Sequence, residues 1–443
     1  MSSSSLKTRI AIVGGGMGGL ALAVALSKLK AADHLEVNIY ESASKLIEVG
    51  AGISFWPRGW EIMRNMGLEA SLLSKLFPAG HKPLPEELRL LFSVRKGNQP
   101  QGTPILDKSG GTIPFHRADV QAVLLDHISP SIQCHLSHRL VNSEEKEDGV
   151  VLKFTNGATA TCDLLIGADG IHSSVRRSLL SELKPTSDGE AARRALPLWT
   201  GVYVYRYMID AEALRREYPD HPALQKMMIY CGKNKMMTAY PIREGKFINA
   251  APMVSHPECA GTYLNDHGVH EATTDDLMSC FDNWEDEVRA LAKYAVQPSR
   301  WAIQYVDPMD SYISSSGHVI LLGDSAHAAP PYFANGAGLA IESAYVLAAL
   351  IDKAAKATNG KVDVSRISKA YNAIRQPYCN AAAANCRALG SLYQLTIPGF
   401  EQYCDGEDIP EEKIAELSKL MSQGWEWTET SVMPELERAL AML

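Results

Sequence analysis

Short β-branched runs and long apolar stretches alternate along the chain, and their spacing predicts a mixed α/β protein. Ile10-Ala11-Ile12-Val13 is an unbroken apolar run of the kind a strand buried on both faces shows. A glycine-dense segment over residues 14–19 reads as a turn, and residues 20–26, all Leu, Ala or Val, open a helix. Val37-Asn38-Ile39-Tyr40 is a second strand that ends at Glu41, so the first fifty residues read as a βαβ start. Residues 78–111 are rich in Pro and Gly and predict an excursion out of the sheet, and residues 119–128 predict a helix. Strand runs return at residues 150–152 and 164–166. Between residues 199 and 254, β-branched and aromatic runs broken by turns such as Gly232-Lys233-Asn234 predict an antiparallel sheet. Residues 319–322 form another buried strand, residues 337–357 a long helix, and the remainder is mostly helical.

Composition narrows this picture. The 443 residues are 46% hydrophobic and 21% charged, which excludes a disordered chain and leaves room for two or three domain-sized units. With 43 basic and 51 acidic residues the net charge is −8, and the charges are scattered. Neither nucleic acid nor an anionic lipid surface is an expected partner. The 8 cysteines include no CxxC pair, so no zinc or redox motif is expected, and no metal. The first seven residues carry no apolar stretch, and residues 337–350, the most apolar run, are too short to span a bilayer and contain Glu342. A soluble cytoplasmic protein is the default expectation. Nothing in the sequence speaks to its oligomeric state.

Gly14-Gly15-Gly16-Met17-Gly18-Gly19 satisfies GxGxxG. Gly14 permits the tight turn, Gly16 lets a pyrophosphate approach the backbone, and Gly19 lets helix and strand pack closely. The context agrees: a strand ends at Val13, a helix begins, and Glu41 follows Gly19 by 22 residues, where an acid can accept hydrogen bonds from a ribose. A dinucleotide site follows, with NAD and FAD undistinguished by this motif alone.

Two later segments separate them. Asp163-Leu164-Leu165-Ile166-Gly167-Ala168-Asp169-Gly170-Ile171-His172-Ser173-Ser174-Val175-Arg176 resembles the Asp-Gly motif of the FAD-dependent class A aromatic monooxygenases. Leu322-Gly323-Asp324-Ser325-Ala326-His327, followed by Pro331 and Gly336-Ala337-Gly338, resembles their Gly-Asp motif. All three parts occur in the family's order, and within it the chain looks most similar to the salicylate-hydroxylase-like branch and its fungal phenol-dearomatising and 4-hydroxybenzoate 1-hydroxylase-type relatives. The resemblance implies a Rossmann-like FAD-binding domain with an inserted antiparallel β-sheet substrate domain and a helical C-terminal region. The FAD domain would comprise residues 1–80, 111–184 and 301–360, with an excursion at 81–110 near the substrate domain. The substrate sheet would occupy 185–300, and the helical region 361–443, without the thioredoxin-like domain of longer phenol hydroxylases.

The same resemblance implies site residues. Glu41 would bind the adenosine ribose, Ala51 and Gly52 would touch the flavin edge, and Arg117 would reach the FAD phosphate and ribityl region. Asp169 belongs to the cofactor motif, Asp324 would bind a ribityl hydroxyl, and Pro331, Gly336 and Ala337 would lie against the isoalloxazine. NADPH or NADH would reduce the flavin, O2 would add to it as a C4a-hydroperoxide, and an OH would pass to a small phenolic substrate. Such a substrate needs its negative charge stabilised, and Arg206 and Tyr240, on predicted strands of the substrate sheet, are the candidate catalytic pair. Decarboxylative hydroxylation of a hydroxybenzoate to a hydroquinone or catechol is preferred. Dearomatisation of an alkylated phenol, and a flavoprotein dehydrogenase without oxygen insertion, stay open as alternatives.

Several features depart from the family pattern. Ala334-Asn335-Gly336 stands where many relatives have Gly-Gln-Gly, and Glu342-Ser343-Ala344 replaces Glu-Asp-Ala. Arg58 replaces Asn; it is a secondary candidate for a substrate carboxylate and reads first as an exposed loop arginine. His172 and His327 read as supports of the flavin fold, and Trp425-Glu426-Trp427 as packing.

Overall fold

The computed structural model describes residues 7–46, 52–76, 88–147, 149–183, 193–358 and 360–443. Because β1 (Arg9–Val13) is apolar at nearly every position, it needs neighbours on both edges and cover on both faces. It pairs in parallel with β2 (Glu36–Tyr40) and β11 (Leu164–Gly167). Addition of β7 (Gln133–His135) and β18 (Val319–Leu321) completes a five-stranded parallel sheet, ordered β18-β11-β1-β2-β7. Three remote stretches of chain therefore build one sheet. The helices Met17–Lys28 and Gly336–Thr358 pack against each other beside it and share its apolar core. Beside these lie a small pair, β3 (Gly52–Phe55) with β6 (Ile113–His116), and a meander of β8 (Leu140–Lys146), β9 (Gly149–Phe154) and β10 (Thr159–Cys162).

The second large sheet has eight strands. In order they are β16 (Val269–Glu271), β17 (Ser299–Tyr305), β12 (Leu198–Asp210), β15 (Phe247–Ser255), β14 (Lys235–Ile242), β13 (Met227–Gly232), β4 (Arg89–Lys96) and β5 (Thr103–Gly110). One pairing departs from the antiparallel expectation: β4 and β13 run parallel. A parallel pair needs a long crossover, and more than a hundred residues separate these strands. The Pro- and Gly-rich excursion thus contributes a hairpin to this sheet, while residues 78–87 within it lie outside the described residues.

Strand alternation gives this sheet two different faces. One carries Tyr205, Tyr207, Ile209 and Tyr230 into a core with Phe281, Trp284 and Leu291. The other carries Val94, Ile229, Met236 and Met253 against Phe333, Leu389, Tyr393 and Trp425. That second face looks toward the C-terminal helices, of which Val364–Tyr393 is the longest, and toward the loop before Gly336. Among the described residues, no helix is long and apolar enough to cross a membrane.

Candidate cofactor cleft and flanking cavities

The carboxyl ends of four parallel strands converge on one cleft. Gly14 follows β1, Glu41 follows β2, Ala168 and Asp169 follow β11, and Gly323 and Asp324 follow β18. Ligands of open α/β sheets bind at this edge. Gly14 has φ 110°, and a Cβ there would run into the carbonyl of Ala168; a Cβ at Gly19 would run into that of Gly14. At Gly16, by contrast, nothing lies within 4 Å of where a Cβ would sit, and no side chain caps the helix that begins there. A helix N-terminus whose first N–H groups face open space suits a phosphate. Glu41 stands beside this loop, its carboxylate accepting from the Gly15 N–H at 2.7 Å and the Ala43 N–H at 2.7 Å.

Other predicted cofactor residues come from elsewhere in the chain. Pairing of β3 with β6 sets exposed Gly52 against His116, next to Arg117 at the start of helix Arg117–Asp126. Ala51 lies outside the described residues. Asp324 is exposed, and its Oδ1 lies 4.0 Å from where a Cβ of Gly336 would sit, so it faces the first turn of helix Gly336–Thr358. Pro331 and Gly336 are exposed and Ala337 is partly so. Together the open space at Gly16, the exposed Asp324 and the bare helix turn at Gly336 fit an extended dinucleotide such as FAD.

Asp169 has a structural task in the helix that follows it. Its carboxylate is turned inward, where it accepts from the Ser174 N–H at 2.7 Å, the Val175 N–H at 3.2 Å and the Ser173 hydroxyl at 2.5 Å. The side chain thus satisfies N–H groups at the N-terminus of helix Ser174–Leu183. Arg176 in that helix is fully buried and donates to the carbonyls of Ser325 (2.8 Å), Ala195 (2.7 Å) and Ile171. It thereby ties the Asp-Gly motif to the Gly-Asp motif.

Two cavities flank the loop before Gly336, and Pro330 lines both. The smaller, about 110 Å³, is bounded by Gly336, Asn335, His327, Tyr378, Cys386 and Trp427. His327 Nε2 and the Trp427 indole N–H are buried there without a hydrogen-bond partner. Burial pushes the His327 imidazole down to about 4, against the pull of Asp324 and with the help of Arg375, so the ring is neutral near pH 7. The larger cavity, about 300 Å³, lies between the sheet and helix Val364–Tyr393, with Thr200, Ser255, Tyr305, Tyr332, Arg387 and Gln394 in its wall.

Arg206 and Tyr240 alternate onto the sheet face that looks toward the C-terminal helices but line neither cavity. Arg206 is exposed, its guanidinium 5.3 Å from the ring centre of Trp301. Burial raises the Tyr240 pKa, with the positive charge of Arg206 pulling the other way, so the two are electrostatic neighbours. Arg58 is corrected outright. It is not an exposed loop residue but lies in helix Pro57–Asn65, fully buried, with Nε 2.9 Å from Glu342 and a second bond to Glu435. Arg375 pairs with the same acids, at 3.2 Å and 2.6 Å, and both guanidiniums lie over the ring of Tyr378. Trp425 packs in the core as expected, whereas Trp427 also reaches the smaller cavity. Tyr332, Tyr378, Arg387, Gln394 and Glu435 had no motif to mark them.

A family model described as an FAD binding domain matches residues 7–386. A salicylate hydroxylase of Pseudomonas putida is 32% identical over 419 residues, covering 92% of this chain and 92% of that one. A 6-methylsalicylate 1-monooxygenase of Aspergillus terreus is 31% identical over 414 residues, covering 91% and 86%. The solved structure of a salicylate hydroxylase substrate complex superposes with a TM-score of 0.81 at 27% identity, over 98% of each chain.

Proposed function

The chain belongs to the FAD-dependent aromatic monooxygenases of the salicylate hydroxylase type, and within them we propose that it hydroxylates a small hydroxybenzoate with loss of CO2. The products would be a catechol or hydroquinone. The observation that carries the reading is the convergence of Gly16, Glu41, Asp324 and Gly336 on one cleft beside cavities of single-ring size. When bound, FAD supplies the activated oxygen, drawing electrons from NADPH or NADH and using O2 as co-substrate.

The protein supplies place and charge. Backbone N–H groups at Gly16 and the first turn after Gly336 offer positive dipole ends to phosphates and to the flavin edge. Glu41 and Arg117 would hold the adenosine and phosphate end, Gly52, Asp324, Pro331 and Ala337 the flavin end. Neutral His327 and the Trp427 N–H present buried hydrogen-bonding groups to the smaller cavity. Tyr240 remains the proposed ring-orienting hydroxyl of the sheet, with Arg206 beside it adding positive potential.

Relatives named for salicylate and 6-methylsalicylate both point to a ring bearing a carboxylate beside a phenolic hydroxyl. The test is a panel of hydroxybenzoates and alkylated phenols, given to FAD-loaded protein with NADPH or NADH and scored by product mass. Loss of CO2 with gain of one oxygen is expected for a hydroxybenzoate. NAD(P)H consumption that yields only peroxide across the panel overturns the reading. Arg206→Ala and Tyr240→Phe should keep full flavin content while coupled hydroxylation falls; unchanged product in both removes that pair.

A further inference from the structure

The three fully buried arginines are all provided for: Arg58 and Arg375 by carboxylates, Arg176 by backbone carbonyls. Arg387 differs. Its Nη1 is shielded from solvent and makes no hydrogen bond, and no carboxylate stands within ion-pair distance among the described residues. Its guanidinium carbon lies 5.6 Å from the ring centre of Tyr305. A cation–π contact holds the group in place without using any of its N–H donors.

A second donor faces the same space. Gln394 donates through Nε2 to the Tyr332 hydroxyl at 2.8 Å, and Ser255 holds Gln394 through its Oε1. Tyr332 therefore accepts from the wall and keeps its own proton for another acceptor, and burial keeps that phenol protonated. Its ring lies directly on Gly390, where any Cβ would collide with it, so the hydroxyl is rigidly placed. A guanidinium and a phenol O–H that border one space suit an anion. Val202 and Pro330 supply apolar wall for a ring, and the exposed Ala260 and Gly261 form a rim. At about 300 Å³ the space is at the lower end of the usual range of about 300–1,000 Å³ for small-molecule sites, a size for one ring and not for a dinucleotide.

We propose that the larger cavity recognises the carboxylate of a small aromatic acid, with Arg387 as the anion anchor and Tyr332 as the second donor. The inference deepens the hydroxybenzoate reading and rests on it for the identity of the ring. Because Pro330 also lines the cavity that abuts Gly336, an acid held here stands one backbone segment from the flavin turn.

The test is equilibrium binding of benzoate and of its neutral isostere benzamide to the FAD-loaded protein by titration calorimetry. Benzoate should bind the native protein more tightly than benzamide. Arg387→Gln should weaken benzoate by at least about tenfold and leave benzamide unchanged, while Arg387→Lys keeps most of the benzoate affinity. Ala260→Trp, at the exposed rim, leaves the anchor in place and should weaken both ligands, which covers the case in which Arg387→Gln fails to fold. Unchanged benzoate affinity in Arg387→Gln, or an equal loss for both ligands, overturns the proposal. If benzoate binds through Arg387 but no hydroxybenzoate is oxygenated, the site stands and the proposed reaction falls. If hydroxybenzoates are oxygenated and Arg387→Gln binds them normally, the site alone falls.

Discussion

Helix Val364–Tyr393 carries two arginines about three turns apart that live in opposite circumstances. Arg375 is sealed in a cluster of two arginines and two glutamates, drawn from helices Pro57–Asn65, Gly336–Thr358 and Met433–Ala441. Burial would lower its pKa, but Cys379, Glu342 and Glu435 more than offset this and hold it raised. Arg387 borders a cavity with an aromatic ring for company and no acid. The same side chain is thus structural where its charge is matched within the fold, and available for recognition where it is not. Balanced charge locks helix Gly336–Thr358 to helix Met433–Ala441; unbalanced charge leaves a group that a ligand can pair.

The largest effect should come from unbalancing the cluster. Glu342→Gln removes a carboxylate shared by Arg58 and Arg375 and leaves two cations facing Glu435 alone. Loss of one partner from a buried pair typically costs about 3–5 kcal/mol. The unfolding midpoint in urea should fall accordingly, and flavin retention should fall with it, because Glu342 lies in the helix that begins at Gly336. A neutral result would mean that the cluster does not hold the fold together.

What could be read ahead of the structure follows the same division. Backbone recognition was legible, because a phosphate-binding turn needs glycines at set spacing and Gly14, Gly16 and Gly19 supply them. Buried parallel strands were legible from unbroken apolar runs, and the helix predicted over residues 337–357 is found as Gly336–Thr358. Arg58 was not legible. Trp56-Pro57 looks like a turn, but Pro57 is the first residue of a helix, where its missing N–H costs nothing, and the Glu435 partner lies 377 residues away. The larger cavity was illegible for a similar reason: Tyr332 meets Gln394, and Arg387 joins the same wall, only because the long helix folds across the sheet. The bonds from Asp169 to the adjacent helix were not legible either, because its motif marks a cofactor loop and says nothing of the helix that follows.

Lys96 extends the comparison to a cation only partly compensated. It is buried and bonded to Gln99, and burial lowers its pKa to about 8 against the opposing pull of Asp408, Asp405 and Glu407. Below pH 8 the folded chain carries this charge at full cost. Between pH 8 and the ordinary value of 10.5 the unfolded state binds the extra proton, so stability should rise with pH across that window. Lys96→Met should stabilise by roughly 1–2 kcal/mol at pH 7 and lose its advantage above that window, as followed by unfolding midpoints at stepped pH.

A smaller effect is expected between the two arginine sites, in the loop that separates the cavities. Ala334 sits at φ 50° and ψ 31°, the left-handed region that a Cβ disfavours. Ala334→Gly should raise the thermal midpoint, by about 0.5–1 kcal/mol in stability once the greater freedom of glycine in the unfolded chain is counted. A loss of stability would show that the Cβ has packing that outweighs the strain.

The smallest effect is the most informative. Arg387→Gln removes a cation that has no acid to lose and an N–H that has no acceptor, so the unfolding midpoint should move by no more than about 0.5 kcal/mol. Set beside Glu342→Gln in the same urea series, it separates two explanations for a buried guanidinium in this helix. A large drop would mean that Tyr305 and the cavity wall depend on Arg387 for packing, which would place it with Arg375 as a structural residue. A flat response, combined with selective loss of benzoate binding, would leave recognition as the reason an unpaired cation is kept at a cavity next to the flavin loop.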